Sequence, residues 1–408
     1  MPVLVTLYFL SSNKDIIIYN SYLINVGGAI ISVILQVSSH TGIGRTLPRS
    51  GSTIWSWILE RFAQAKIVIL KNLEGANVVH FSFDLWSSPN HRAFLGVVAH
   101  WVDSAGTLHG LLVGLRRFRG AHTGANQAAH FWQVATDFQI TRKIGYFTLD
   151  NASNNDSALV EIASFLLNIN IVFDPIKRRL CCFGHVINLV VKAFLWGTDA
   201  EAFQNEQAQY DGADSDKELE QVLEWRKRGP MGKLHNICVW ICRTPQRRDA
   251  FEAKARQQVG NITKATIPIV GCITRWGGDY DALKRAFLLR DPIEEFVAST
   301  VRNDTGEVDA RNPHALCHDE LSRDDWDELR SILNILKPFK DWSLRLQGKC
   351  RNGSLYEIFP AMDELLSHLE DAKKQYANPH NHGEHLRGSI NCAWAKLDRY
   401  YPPCEFIH

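Results

Sequence analysis

The stretch Val78-Val79-His80-Phe81-Ser82-Phe83-Asp84-Leu85-Trp86 decides the fold of this 408-residue chain. β-Branched and aromatic residues dominate it and an acid sits near its end, which is the pattern of a buried strand. Working outward, Phe94 to Val102 reads as a second strand, closed by the turn Asp103-Ser104-Ala105-Gly106, and Leu108 to Phe118 as a third. Three neighbouring strands joined this way make a meander. Asn126 to Phe138 follows with Ala128, Phe131, Trp132 and Ala135 on one helical face. A fourth strand, Ile144-Gly145-Tyr146-Phe147-Thr148-Leu149-Asp150, again ends in an acid. A helix from Asp156 to Leu167, a strand around Arg179 to Phe183 and an apolar helix from His185 to Trp196 complete the run.

Three strands, helix, strand, helix, strand, helix is the order of an RNase-H-like α/β architecture, a mixed sheet with helices on its faces. In that order the first and fourth strands are neighbours, so Asp84 and Asp150 come side by side. Beyond residue 198 the pattern turns helical: Glu218 to Arg228, Pro245 to Val259, Tyr280 to Ser299, Arg323 to Lys337 and Glu357 to Tyr376. Trp326, Leu329, Leu333 and Leu336 recur at helical spacing, and Ser354 with Glu357 forms a capping-box pattern. The expected organisation is a segment 1–45 unlike the rest, an RNase-H-like core 46–198, and an all-α domain 199–408, inserted into or following the core.

Ile16 to His40 contains no charged residue and has the length of a membrane span. Asn20, Asn25 and Gln36 interrupt it, and Lys14 beside Asp15 gives no positive flank, which argues against membrane insertion. The segment is expected to make few contacts with the sheet. Nine cysteines are scattered without a framework spacing and no secretory signal precedes them, so reduced thiols in the cytosol or nucleus are expected. The formal net charge is only +1, but its distribution is uneven. Asp199 to Glu224 is strongly acidic, and Arg226 to Arg256 carries nine bases against Asp249 and Glu252. The basic half could meet phosphate, or its charges could cancel within an ordinary solvated face.

Paired carboxylates on adjacent strands supply hard oxygen ligands of the kind Mg²⁺ requires, and two such ions can serve phosphoryl transfer. A single Asp at a strand end is more often a turn former; the topology around both residues is what singles out Asp84 and Asp150. Asp150 to Glu161 has the length of a calcium loop but carries Ala152 and Asn155 where an oxygen ligand and a glycine belong. Cys182 and His185 make a C-x-x-H pair, two ligands where a structural zinc needs four, and no zinc is expected. Arg116-Arg117-Phe118-Arg119 and Lys177-Arg178-Arg179 could contact phosphates or line a solvated rim.

Several motifs in order resemble those of hAT-superfamily transposases, and most nearly the fungal, Restless-like group. They are Leu47-Pro48-Arg49-Ser50-Gly51-Ser52-Thr53-Ile54, Phe83-Asp84-Leu85-Trp86-Ser87-Ser88-Pro89-Asn90, Leu149-Asp150-Asn151-Ala152-Ser153-Asn154-Asn155-Asp156, Arg178 to Leu189, and Thr274-Arg275-Trp276. The resemblance covers roughly residues 46 to 402 and implies a DDE enzyme that cleaves and transfers DNA strands by two-metal chemistry. It implies that Asp84 and Asp150 are catalytic, metal-holding aspartates using Mg²⁺ or Mn²⁺. Cys182 and His185 match a structural motif, and Arg275 with Trp276 matches the segment at the DNA end. It further implies transposon ends as the partner, a homo-oligomer and a nuclear location. The chain departs from the pattern in Gly271-Cys272-Ile273, in the absence of cysteine from residues 1–45, where a zinc finger would lie, and near Pro402 to His408. The third catalytic glutamate and the dimerisation region that the resemblance implies would follow the helical part and are expected to be missing; Glu405 is the last acid by position, and nothing around it supports the role. The expectation is a transposase fragment truncated at both ends and inactive. The alternative is a non-catalytic DNA- or protein-binding remnant or domesticated protein. A ribonuclease is disfavoured because Asn126 to Phe138 holds no Glu and only Asp137 as an acid.

Overall fold

A computed structural model describes residues 7–10, 16–19, 51–88, 92–197, 215–259, 267–270, 277–301, 316–346, 355–376 and 383–401. Packing divides the chain into two units, Met1–Cys182 and Phe183–His408.

The first unit is built on a five-stranded sheet. Its strands are β3 (Val79–Ser87), β4 (Ala93–Val102), β5 (Leu108–Phe118), β6 (Ile144–Leu149) and β7 (Arg179–Cys181), in the order β5-β4-β3-β6-β7. The meander β3–β4–β5 is antiparallel, whereas β6 runs parallel to β3 and β7 parallel to β6. This is the mixed, RNase-H-like sheet expected from the sequence. Alternation explains its two faces. Val79, Phe81 and Phe83 of β3 and Phe147 and Leu149 of β6 are buried, while Asp84 and Thr148 between them are exposed.

The buried side chains pack as an aromatic cluster. Phe81 meets Phe131 edge-on at 5.0 Å and stacks with Phe147 at 5.6 Å, and Phe173 closes on Phe147 at 5.9 Å. Phe131 comes from α2 (Gly124–Asp137), whose first turn is capped by Thr123 Oγ1 accepting from the Asn126 amide at 3.3 Å. α3 (Ser153–Leu167) lies along α2 and buries Ala158, Leu159 and Ile162 in the same core. Full burial of each Phe is worth about 1.5–3 kcal/mol. α1 (Gly51–Glu74) adds Ile69 and Leu73, and Lys143 Nζ donates to the carbonyls of Leu73 and Glu74 at its end, both at 2.8 Å.

One irregularity interrupts the β3–β6 ladder. Val79 pairs with Ile144 but Phe81 pairs with Phe147, so β6 spends one residue more than β3 over this step. The Tyr146 amide donates to His80 Nδ1 at 3.0 Å. Accepting there fixes His80 as the neutral Nε2–H tautomer. Burial, and then the Arg178 charge, push its pKa below the ordinary histidine value. Gly145 is required beside it, because a Cβ would lie 2.5 Å from Val78 and 2.8 Å from His80 Nδ1.

The segment 1–45 contributes a short antiparallel hairpin, β1 (Leu7–Leu10) with β2 (Ile16–Tyr19). β2 lies beside β5 and β1 beside α1, so these eight residues do approach the sheet unit, contrary to expectation. Ile30 to Leu35 falls outside the described residues. Among the described residues no helix is long and apolar enough to cross a membrane.

The second unit is helical. It comprises α4 (Phe183–Trp196), α5 (Ser215–Arg226), α6 (Gly229–Cys242), α7 (Pro245–Val259), α8 (Gly277–Leu288), α9 (Arg290–Val301), α10 (Arg323–Leu346), α11 (Ile358–Gln375) and α12 (Gly383–Asp398). α4, placed by its sequence at the end of the core, packs instead in this unit. Val186, Ile187, Val190 and Val191 join one apolar cluster with Trp326, Phe339 and Leu365, and α12 lies along α4. The helix expected over Tyr280 to Ser299 is two helices broken at Leu289, and Pro292, which has no amide proton to continue the ladder, stands in the first turn of the second. Conversely, α10 does not stop at Pro338. Phe339 and Trp342 extend its buried stripe, and that burial outweighs the one donor lost.

Candidate active site

Asp84 lies near the end of β3 and Asp150 immediately follows β6. Ser82 pairs with Thr148 across these parallel strands, and continuing that register by two residues sets Asp84 beside Asp150. Adjacent strands are about 4.8 Å apart, and residues in register on parallel strands share a face. Asp84 is exposed and Asp150 half-buried.

The residues after Asp150 hold it firmly. Its Oδ1 accepts from the Ala152 amide at 3.2 Å and from Asn155 Nδ2, while the same Asn155 amide also donates to the Asp150 carbonyl at 3.3 Å. The polar run after β6 thus forms an Asx turn leading into α3. From the neighbouring strand β7, Arg179 Nη2 donates to the Asp150 carbonyl at 2.8 Å and its Nε lies 2.9 Å from Asp156 Oδ1. That close approach satisfies the charge but is too poorly aligned to count as a hydrogen bond, since Nε has no partner by geometry. Asp150 Oδ2 accepts no hydrogen bond among the described residues, which leaves it available to a cation. Sequence reading did not single out Asn155 for this role.

The two arginine clusters are largely occupied. Arg116 pairs with Asp137 and donates to Gln133 Oε1 at 3.1 Å, so the one acid of α2 is engaged across to β5. Arg178 lies over the Tyr146 and Phe173 rings at 5.7 and 5.8 Å, and Lys177 is 4.0 Å from Asp174. Cys182 continues the edge of the sheet, its amide donating to the Leu149 carbonyl at 2.8 Å. Cys182 and His185 are both half-buried. Arg275 and Trp276 lie outside the described residues.

The basic segment Arg226 to Arg256 is also mostly neutralised within its own unit. Arg226 forks onto Asp319 at 2.9 and 2.7 Å, and Asp319 is only 2% exposed. Lys233 pairs with Asp325 and Lys254 with Glu295, each at 2.8 Å, Arg256 with Glu252 at 2.6 Å, and Lys227 with Glu224. Apart from Glu224, these partners lie outside the acidic stretch that precedes the segment.

Residues 82–174 match the family described as the ZBED1 RNase-like domain. That match spans β3 to the residues before β7 and includes both aspartates. A Talaromyces stipitatus protein named "Putative transcriptional regulator tpeD" is 23% identical over 342 residues, covering 83% of this chain and 37% of its own length. Two maize proteins, "Putative AC transposase" and "Putative AC9 transposase", are each 31% identical over 113 residues, 27% of this chain and 14% of theirs. The matches therefore span well under half the length of these relatives. Together with the RNase-H-like sheet, these matches make the chain similar, at low identity and over part of its length, to transposase proteins.

Proposed function

We propose that this chain derives from the catalytic region of a hAT-type transposase of the fungal, Restless-like group, and that Asp84 and Asp150 are its metal-holding pair. What supports the reading is the β3–β6 register: continued two residues past Ser82–Thr148, it brings the exposed Asp84 and the half-buried Asp150 to one face of the sheet. The donor set suits Mg²⁺ or Mn²⁺, hard cations that take carboxylate oxygens and fill remaining positions with water and phosphate. A divalent pair, when bound, activates the attacking oxygen and stabilises the leaving one in phosphoryl transfer on DNA. The protein's own part is positional. Ala152 and Asn155 hold Asp150 Oδ1, and Arg179 pins the carbonyl of the same residue from the adjacent strand. Arg275 and Trp276 are the residues proposed to meet the DNA end, in the nucleus; the homo-oligomer is a property of the intact family.

The second reading is a non-catalytic transposase relative that binds DNA or protein. One observation favours it for this chain: the Talaromyces stipitatus relative, whose match covers 83% of the chain, is named a transcriptional regulator. The test combines Mn²⁺ titration with incubation on supercoiled plasmid. The expected result is Mn²⁺ binding that Asp84→Asn and Asp150→Asn each weaken about tenfold or more, without nicking, because two carboxylates alone leave the ions short of ligands. Nicking abolished by both variants would show a complete site with a third acid. Mn²⁺ binding that neither variant changes would overturn the assignment of the pair.

A further inference from the structure

The loop from the end of α3 to β7 carries the two most exposed large apolar side chains among the described residues, Val172 at 89% and Ile176 at 84%. Single apolar side chains on a surface are ordinary, but these two stand on a backbone that is fixed around them. Asn170 closes α3 in the left-handed region, with φ 60°, and the Ile171 amide reaches back to the Leu166 carbonyl at 2.9 Å. Phe173 turns inward and meets Phe147 in the aromatic core. Asp174 Oδ1 accepts from the amides of Ile176 and Lys177, both at 3.0 Å, and the Asp174 carbonyl accepts from the Arg178 amide at 3.1 Å. The ring of Pro175 restricts the backbone between them. Buried Phe173 and the turn at Asp174 thus anchor a loop whose apolar neighbours face water.

The charge beside these two side chains is positive. Lys177 directly follows Ile176, is exposed, and reaches only to 4.0 Å from Asp174. Arg178 lies over the Tyr146 and Phe173 rings at 5.7 and 5.8 Å. Asp174 is the one acid between Asn168 and Arg178, and two amides already take its Oδ1. We propose that this loop docks an acidic, amphipathic segment of a partner protein, its apolar side chains on Val172 and Ile176 and its carboxylates at Lys177 and Arg178. Apolar anchors edged by charge are the anatomy of a protein interface, and a loop already held in one conformation loses little freedom on binding. Four residues of chain separate the anchors by at most about 14 Å, within reach of one short peptide. Duplex DNA would meet the cations but give Val172 and Ile176 nothing apolar to pack on. The loop enters β7 at its start, whereas Asp84 and Asp150 lie toward the far ends of β3 and β6. The surface is therefore independent of the proposed function.

The test is fluorescence anisotropy of the full chain with a labelled peptide of about twelve residues rich in Asp, Leu and Phe. A second peptide has Ser in place of Leu and Phe. The parent chain is expected to bind the first saturably, and at least about tenfold more tightly than the second. Val172→Ser/Ile176→Ser is expected to weaken binding about tenfold, and Lys177→Glu about threefold, with the larger effect at low salt. Both variants change exposed side chains, so the fold is retained. Leu355→Ser/Tyr356→Ser, which alters exposed apolar residues of the helical unit, should change affinity less than about twofold. Parent-like binding by both loop variants would overturn the surface, as would an equal loss in the Leu355/Tyr356 control. Binding by the parent that does not saturate up to about 1 mM would overturn it too. So would loop variants that keep peptide binding but lose self-association in sedimentation, or lose duplex DNA binding.

Discussion

Replacing Asp279 by Asn isolates a single titration in the helical unit. Asp279 sits in the first turn of α8, 7% exposed, against a cavity of about 20 Å³ that Trp196, Trp225, His235 and Cys238 also line. Burial raises its carboxyl to about 8, and the Lys192 charge pulls the other way without prevailing. The folded chain therefore holds this proton over a range in which the unfolded chain, with an ordinary value near 3.8, releases it. Stability falls as pH rises from about 4 to about 8, because the native state binds more protons there. Each unit of pH in that window costs about 1.4 kcal/mol, so raising the pH from about 5 to about 7 removes about 2.5 kcal/mol. Asn mimics the neutral carboxyl and has no such slope. The difference in stability between Asp279→Asn and the parent should thus grow by that amount over the same interval. Taking the difference removes the opposing contribution of His235, which burial lowers to about 4 and which destabilises the fold as pH falls below about 6.5. For a unit of this size the change is a relative Tm shift of about 5–10 °C, read by scanning calorimetry at the two pH values. A Tm difference between variant and parent that is the same at both would refute the reasoning.

Two further substitutions test the cores. Asp319→Ala strands the half-buried Arg226 guanidinium and removes one of the two acceptors of Asn236 Nδ2, at 2.9 Å; it should cost about 3–5 kcal/mol by chemical denaturation, and a loss under about 1 would mean Arg226 finds another partner. Phe147→Ala opens the aromatic cluster at a fully buried position and should also cost about 3–5 kcal/mol, with a changed near-ultraviolet circular dichroism spectrum.

What the sequence disclosed was the part governed by short periods. Strand runs such as Leu108–Phe118 appear in the structure with their expected bounds, because a half-buried strand must alternate and a turn such as Asp103 to Gly106 must interrupt it. The neighbourhood of β3 and β6 followed from element order alone. Contacts distant in sequence stayed hidden. Nothing local marks Asp319 as the partner of Arg226, or Asp325 as that of Lys233, so the basic segment looked more available than it is. No helix was expected between Arg228 and Pro245, yet Pro230 occupies the first turn of α6, where its missing amide costs nothing. α4 has an apolar pattern that fits either unit, and only packing decides. Asp279 passed unnoticed because burial, not neighbouring residues, makes it unusual.

The extra residue in β6 opposite His80 acts as an address for the carboxylates. Before it, Val79 faces Ile144; after it, Phe81 faces Phe147. Were the earlier pairing continued without the insertion, Asp84 would stand opposite Leu149, and Asp150 would fall one step beyond it. Such a slip also turns every later side chain of β6 to the wrong face, setting Phe147 against water. The ring nitrogen of His80 occupies the Tyr146 amide at that step, and the missing side chain of Gly145 gives the ring its room. One imidazole and one glycine, several residues from either acid, therefore fix the spacing on which any shared cation would depend.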